Sequence, residues 1–245
     1  DLSNVDVLII GGPYRRIPDL AVAELRRFMD SGGKAMIMID SVLVDQSRFI
    51  AQPNPNSFAN FVGEYGVVVE NDLVFDMQSN ETLSFSTQEG SVFLPYPFWP
   101  RVPVVDAKVA GNVSAALMPW ASSLGITEDA RSRIDIIPLV ETTEFASIDF
   151  NYGDVRPNSP TLNDPVGINQ VQSLMGVAIS ERQNSPNDSS FRLVVFGTSR
   201  WLMDGITDRS EQNLAMGLNL VDWLAQEDAL ASVRSKAVTA RDLLF

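Results

Sequence analysis

Apolar runs and helical stripes alternate at both ends of the chain. Val5-Asp6-Val7-Leu8-Ile9-Ile10 is a short apolar run closed by Gly11-Gly12-Pro13, which predicts a buried strand. From Pro18 to Asp30 the period changes, and Ala21, Leu25, Phe28 and Met29 fall on one helical face. Pro18 suits a first helical turn, Asp19 the positive end of the dipole and Arg26-Arg27 the negative end. Gly32-Gly33 then stops the helix, and Lys34 to Asp40 predicts a second strand. Strand, helix and strand in this order form a βαβ unit, with parallel strands and a right-handed crossover.

The pattern is weaker in the middle. Phe58 to Tyr65 predicts a short helix, with short strands at Val67-Val68-Val69 and Leu73-Val74-Phe75 around an Asn71-Asp72 turn. Thr82 to Ser86 and Val92 to Leu94 suggest a hairpin. Pro95, Pro97, Pro100 and Pro103 predict a stiff extended loop. Ile134 to Val140 reads as a strand and Asn151 to Gln170 as a long surface loop. Regularity returns with strands at Val171 to Ser180 and Arg192 to Phe196, separated by a turn at Ser185 to Ser190. A closing helix spans Ser210 to Gln226, with Leu214, Leu218, Val221 and Leu224 on one face. The expectation is a layered α/β domain with a mostly parallel sheet over residues 1–227, carrying an irregular Pro- and Asn-rich insertion at about 77–170.

Composition narrows the chemistry. The 245 residues include no Cys and no His, so a thiol nucleophile, an Fe–S cluster, an imidazole base and a Ser-His-Asp triad are all excluded. Carboxylate, Lys, Tyr, Ser and Thr chemistry remains. With 18 Lys+Arg against 31 Asp+Glu the net charge is −13, which disfavours nucleic acid as a partner. No cofactor or metal is expected.

Familiar motifs fail on inspection. Gly11-Gly12 follows a strand, but Pro13-Tyr14-Arg15-Arg16 breaks the dinucleotide fingerprint. A phosphate loop at Gly33-Lys34 would need Gly at Phe28 and Ser or Thr at Ala35. Asp40, Asp76, Asp149 and Asp204 lie near strand ends or turns, where two of them could pair as glycosidase carboxylates. Tyr96, Phe98 and Trp99 stand among prolines, either as a contact loop for a sugar or protein or as anchors of that loop on its own domain.

Four ordered stretches resemble one family, the extracytoplasmic domain of the gliding-motility-type ABC transporter auxiliary (substrate-binding) component. They are VDVLIIGGP (Val5 to Pro13), ELRRFMDSGGKAMIMID (Glu24 to Asp40), FVGEYGVVVENDLVFD (Phe61 to Asp76) and the stretch from Leu193 to Gln226. The middle third matches poorly, and the connector reads Thr198-Ser199-Arg200 where an Asp-Ser-Asp type turn is common in the family. The resemblance implies a three-layer fold of the flavodoxin-like or class I glutamine-amidotransferase-like kind. It also implies a membrane tether outside this sequence, an extracytoplasmic location, and association with an ABC permease and ATPase. Residues 228–245 would then form a stalk toward the membrane. Amidotransferases of that fold use a Cys-His-Glu triad, which a chain without Cys or His cannot supply.

In open α/β sheets, ligands sit outside the carboxyl ends of the strands. Those ends are Gly11-Gly12-Pro13-Tyr14, Asp40-Ser41 and Gly197-Thr198-Ser199-Arg200. The candidate ligand or partner contacts are therefore Gly12, Tyr14, Arg15, Asp40, Ser41, Thr198, Ser199 and Arg200. Arg15, Arg16 and Arg200 would favour an anionic or hydroxyl-rich ligand, unless they only satisfy local carboxylates and helix ends. Three functions stay open: a non-catalytic transporter auxiliary domain, a carbohydrate-active or carbohydrate-binding domain, and a structural interaction platform.

Overall fold

A computed structural model describes residues 2–88, 90–163, 170–182 and 191–225. The first half runs β1 (Leu8–Gly11), α1 (Asp19–Asp30), β2 (Lys34–Met38), β3 (Val42–Asp45), β4 (Ile50–Pro53), α2 (Ala59–Glu64), β5 (Val67–Val69), β6 (Leu73–Asp76), β7 (Asn80–Thr87) and β8 (Gly90–Pro103). It continues through α3 (Ala107–Ala110), β9 (Ala115–Leu117), β10 (Leu124–Ile126), α4 (Glu128–Arg131), β11 (Ile134–Glu141), β12 (Ala146–Asp149) and α5 (Pro160–Asn163). The closing elements are β13 (Leu174–Glu181), β14 (Arg192–Phe196), a 3-10 turn (Arg200–Leu202), α6 (Asp204–Thr207) and α7 (Glu211–Ala225).

The main sheet has seven strands in the order β1-β2-β14-β13-β10-β5, with β11 also paired to β13. Successive residues of β2 and β14 point to opposite faces, and both faces are buried. Ala35, Ile37, Leu193 and Val195 pack with Leu25, Phe28 and Met29 of α1 and with Phe61 and Val62 of α2. Met36, Met38, Val194 and Phe196 pack on the other face with Met216, Leu220 and Leu224 of α7. Two helical layers therefore cover one sheet.

The sheet is mixed, not mostly parallel. Only β1–β2 and β2–β14 run parallel, and the pairings of β14, β13, β11, β10 and β5 are antiparallel. Ten residues separate β13 from β14, fewer than the dozen or more that a parallel crossover needs. Nor is the region after residue 77 irregular. β7 and β8 form a long hairpin extended by β9, and β6 pairs with β12 in a separate ladder. The prolines lie inside β8, with Pro95 and Pro100 opposite Thr82 and Asn80 of β7 and Pro103 opposite Ala115 of β9. β5 and β6 flank the Asn71-Asp72 turn as expected but join different sheets.

The closing helix turns a different face inward than its leucine spacing predicts. Leu214 and Leu218 are 51% and 61% exposed, while Asn213, Met216, Gly217, Leu220 and Leu224 are buried. The side chain of Asn213 fixes this rotation. Its Oδ1 accepts from Leu117 N (2.9 Å), and its Nδ2 donates to Leu117 O and Trp201 O (both 2.8 Å). A buried amide satisfied by three main-chain bonds outweighs the exposure of two leucines. Ala21 of α1 is likewise exposed, unlike its predicted partners Leu25, Phe28 and Met29. The turn at Ser185 to Ser190 and the stalk at 228–245 lie outside the described residues.

Candidate functional site

β1, β2 and β14 are adjacent and parallel, so their carboxyl ends open on one edge of the sheet. The candidates carried by these ends thus converge, but most of the space between them is filled. Asp40 accepts at Oδ1 from Ser199 N (2.8 Å) and at Oδ2 from Ser199 Oγ (2.6 Å), while the Thr198 hydroxyl, 3.3 Å from Oδ1, has its shorter acceptor in Pro119 O (2.9 Å). A Cβ on Gly12, whose φ is +51°, would lie 2.5 Å from both Asp40 Oδ2 and Ser199 Oγ. On Gly197 it would lie 2.0 Å from the main-chain oxygen of Ser122. Glycine at these two positions lets three chain segments close on each other, not on a ligand.

Ser41 is also drawn inward. Its hydroxyl donates to Glu70 O (2.6 Å) and lies 2.7 Å from Ser122 Oγ. Behind it Asp72 accepts from Ser123 N (2.8 Å) and Ser123 Oγ (2.5 Å). Burial pushes the Asp72 carboxyl above its ordinary range, and the Ser123 bonds oppose that shift. Asn54 ties the loop after β1 to the loop after β2 by donating to Pro13 O (3.1 Å) and Asp40 O (2.8 Å). Tyr14 stays on the rim at 63% exposure, with Arg15 over its ring at 5.7 Å.

The three arginines expected at one site do not share it. Arg16 pairs with Asp19 at 3.0 Å and lines a cavity of about 420 Å³ between α1 and α2. Arg200 lines a different groove, of about 390 Å³, against the β3–β4 hairpin. Its guanidinium sits 4.9 Å from the centre of the Trp120 ring, and Nη2 donates to Val44 O (3.1 Å). Burial pushes its pKa below the ordinary arginine value, against the pull of the Asp40 charge.

The aromatic contact loop is corrected by its burial. Tyr96 and Phe98 are fully buried, and Trp99 is partly so. Tyr96 OH donates to Val155 O (2.5 Å) and accepts from Trp120 Nε1 (3.0 Å), while Trp99 meets Trp120 edge-on at 5.1 Å. Strand β8 alternates these rings into the body of the domain, so they buttress Trp120 beneath Arg200 and offer no contact surface of their own.

The acidic candidates do not form a pair. Asp76 faces Ala146 and Asp149 faces Leu73, at opposite ends of the β6–β12 ladder. Asp76 is occupied by Gln78 N, Ser79 N and Thr143 Oγ1, and Asp149 by Asn151 N and Thr161 Oγ1. Asp204 is exposed in the first turn of α6. Among the described residues, no group of three acidic side chains is placed to hold a metal ion. Sequence reasoning missed Asn54, Trp120, Ser122 and Arg48, because each reaches the edge through tertiary contacts that no local pattern marks.

A family model for "ABC-type uncharacterized transport system" matches residues 1–221. The chain belongs to this family of ABC transport auxiliary components. It is 18% identical over 244 residues to an uncharacterized protein of Borreliella burgdorferi, covering 96% of this chain and 48% of that protein. The chain thus spans about half the length of the curated relative it matches. Among solved structures it is similar to the mmIFT52 N-terminal domain, with a TM-score of 0.57 and 17% identity over 93% of this chain and 80% of that one. At that identity the likeness bears on the fold alone.

Proposed function

We propose that this domain is a non-catalytic recognition module of an ABC transport system, working on the extracytoplasmic side and associating with the permease and ATPase. One observation carries the non-catalytic part. At the edge where an α/β sheet places its chemistry, Asp40 is buried and bonded by Ser199 at both oxygens, and the Thr198 hydroxyl is bonded to Pro119 O. A general base must reach a substrate proton, and these oxygens are already occupied by the chain's own donors. Family membership supports the transport setting. The absence of Cys and His, which removes the chemistry of amidotransferases on related folds, supports the same reading.

The test uses the full-length protein in its native membrane. Crosslinking and purification through a tag on this protein should recover an ABC permease and ATPase, and protease added outside intact cells or spheroplasts should reach the domain. Purification free of both subunits would overturn the transport role. Protection from external protease would overturn the location, and turnover of a glycoside, ester or amide that is lost in Asp40→Asn would overturn the non-catalytic role.

A further inference from the structure

We propose that the groove between Arg200 and the β3–β4 hairpin binds an oxyanion, a carboxylate or a phosphate, borne on a small polar ligand. Its walls are Val44, Asp45, Arg48, Ile50, Gln52 and Arg200, and its volume of about 390 Å³ is in the usual range for a small-molecule site. The inference rests on reading the domain as a recognition module and names the chemistry of its ligand.

Arg200 shares with exposed Arg15 and Arg209 a place over an aromatic ring, and differs from most surface arginines in holding no carboxylate. Arg16, Arg26, Arg101, Arg133, Arg156 and Arg182 each hold a carboxylate. Arg200 is partly buried, yet among the described residues no carboxylate lies within 4.0 Å of it. Asp40 pulls on Arg200 through its charge but takes its close bonds from Ser199 N and Ser199 Oγ. With one face of the guanidinium toward Trp120 and Nη2 on Val44 O, Nε and Nη1 have no acceptor among the described residues. The guanidinium nitrogens that bond no protein group reach solvent, so an acceptor from outside would replace water on a fork already held against Trp120 and Val44. The geometry that fits its planar fork is a carboxylate or a phosphate.

The surroundings favour the same ligand. Arg48 brings a second positive charge on a side chain 76% exposed, held to Asp45 only at 3.8 Å. Ser47 and the Arg48 main chain donate to Asp45 Oδ1 and Arg48 faces its Oδ2, so the groove sets two arginines against one carboxylate. Gln52 adds an amide that can bond a hydroxyl or carbonyl. Two aromatic residues at this place hold left-handed backbone conformations, Phe49 beside Arg48 (φ +54°) and Trp120 beneath Arg200 (φ +48°). Such conformations are strained for residues with a side chain and gather at functional sites. Packing of Phe49 on Phe85 and Tyr96, and of Trp120 on Trp99, maintains them.

The experiment titrates nitrogen-labelled protein with glucuronate, N-acetylglycine and glycerol phosphate, with glucose as the neutral control. Saturable shifts are expected at Arg200 Nε and at the amides of Val44 and Gln52, in the millimolar range or tighter, for at least one anion and not for glucose. Which anion binds separates a carboxylate source from a phosphate source. Arg200→Lys, which keeps the charge and removes the fork, should weaken binding about tenfold. Arg48→Gln, at an exposed position that folding does not need, should weaken it about threefold. No saturable shift with any anion, equal binding of glucose, or unchanged affinity in both variants overturns the site. A probe that binds there and is also consumed would overturn the non-catalytic reading and leave the site standing. Loss of the site would leave the association with permease and ATPase untouched.

Discussion

Asp40 and Arg200 lie just beyond the ends of neighbouring parallel strands, on the same edge of one sheet, yet they meet opposite fates. Asp40 is closed in, with both oxygens bonded by Ser199. Arg200 is left open, with an aromatic floor, one main-chain acceptor and a groove in front of it. The difference comes from what surrounds each charge. Glycine at position 12 makes room for Asp40 Oδ2 and Ser199 Oγ, whereas the guanidinium lies 4.9 Å from the centre of the Trp120 ring and bonds Val44 O. One edge therefore contains a structural corner and a recognition groove side by side.

The sharpest way to break the closed corner is Gly197→Ala. The added Cβ meets main chain at 2.0 Å, and main chain cannot step aside as a side chain can. Overpacking of this kind costs about 1–3 kcal/mol and sometimes more. Urea unfolding should show at least that loss, and a wild-type midpoint would mean the corner is looser than its geometry. Asp40→Ala should come next, at about 1–3 kcal/mol, because it strands the part-buried Ser199 N and Ser199 Oγ donors. Asp40→Asn should recover part of that loss, since its oxygen still accepts from Ser199 N.

Asp72 offers a pH handle on the same corner. Its folded pKa is raised by burial, so it favours the fold while protonated, and that contribution is lost as pH rises through the folded pKa. Between about pH 3 and pH 7, Asp72→Asn should therefore gain stability relative to wild type. If the wild type instead gains on the variant as pH rises, the Ser123 bonds outweigh burial. On the open side, Arg48→Gln should change stability by no more than about 0.5 kcal/mol, as exposed positions usually do. A larger loss by thermal unfolding would show that the groove is part of the fold's own support.

α1, β2 and β14 were legible because each buries a continuous run or stripe, whereas β1 and the closing helix were legible as elements although Ile9, Leu214 and Leu218 are exposed. The strand-end candidates were legible as well, since a strand that stops at Gly or Asp marks its own carboxyl end. Two kinds of decision were not local. Whether Leu214 or Met216 faces the sheet depends on Asn213 finding Leu117 and Trp201, about ninety-six and twelve residues away in sequence. Whether Tyr96 offers a ring to a partner or hides it depends on which face of β8 the body of the domain covers.

By itself the sequence determined that this chain builds an α/β layered domain, that thiol and imidazole chemistry are absent, and which segments end at the functional edge. Those are properties of residue type and near-neighbour period. Only the tertiary structure decided that the sheet is mixed, that Asp40 is spent within the protein and that Arg200 is not. Pairing direction and charge compensation are set by groups far apart in the chain, and the energy that selects among them exists only once those groups are packed together.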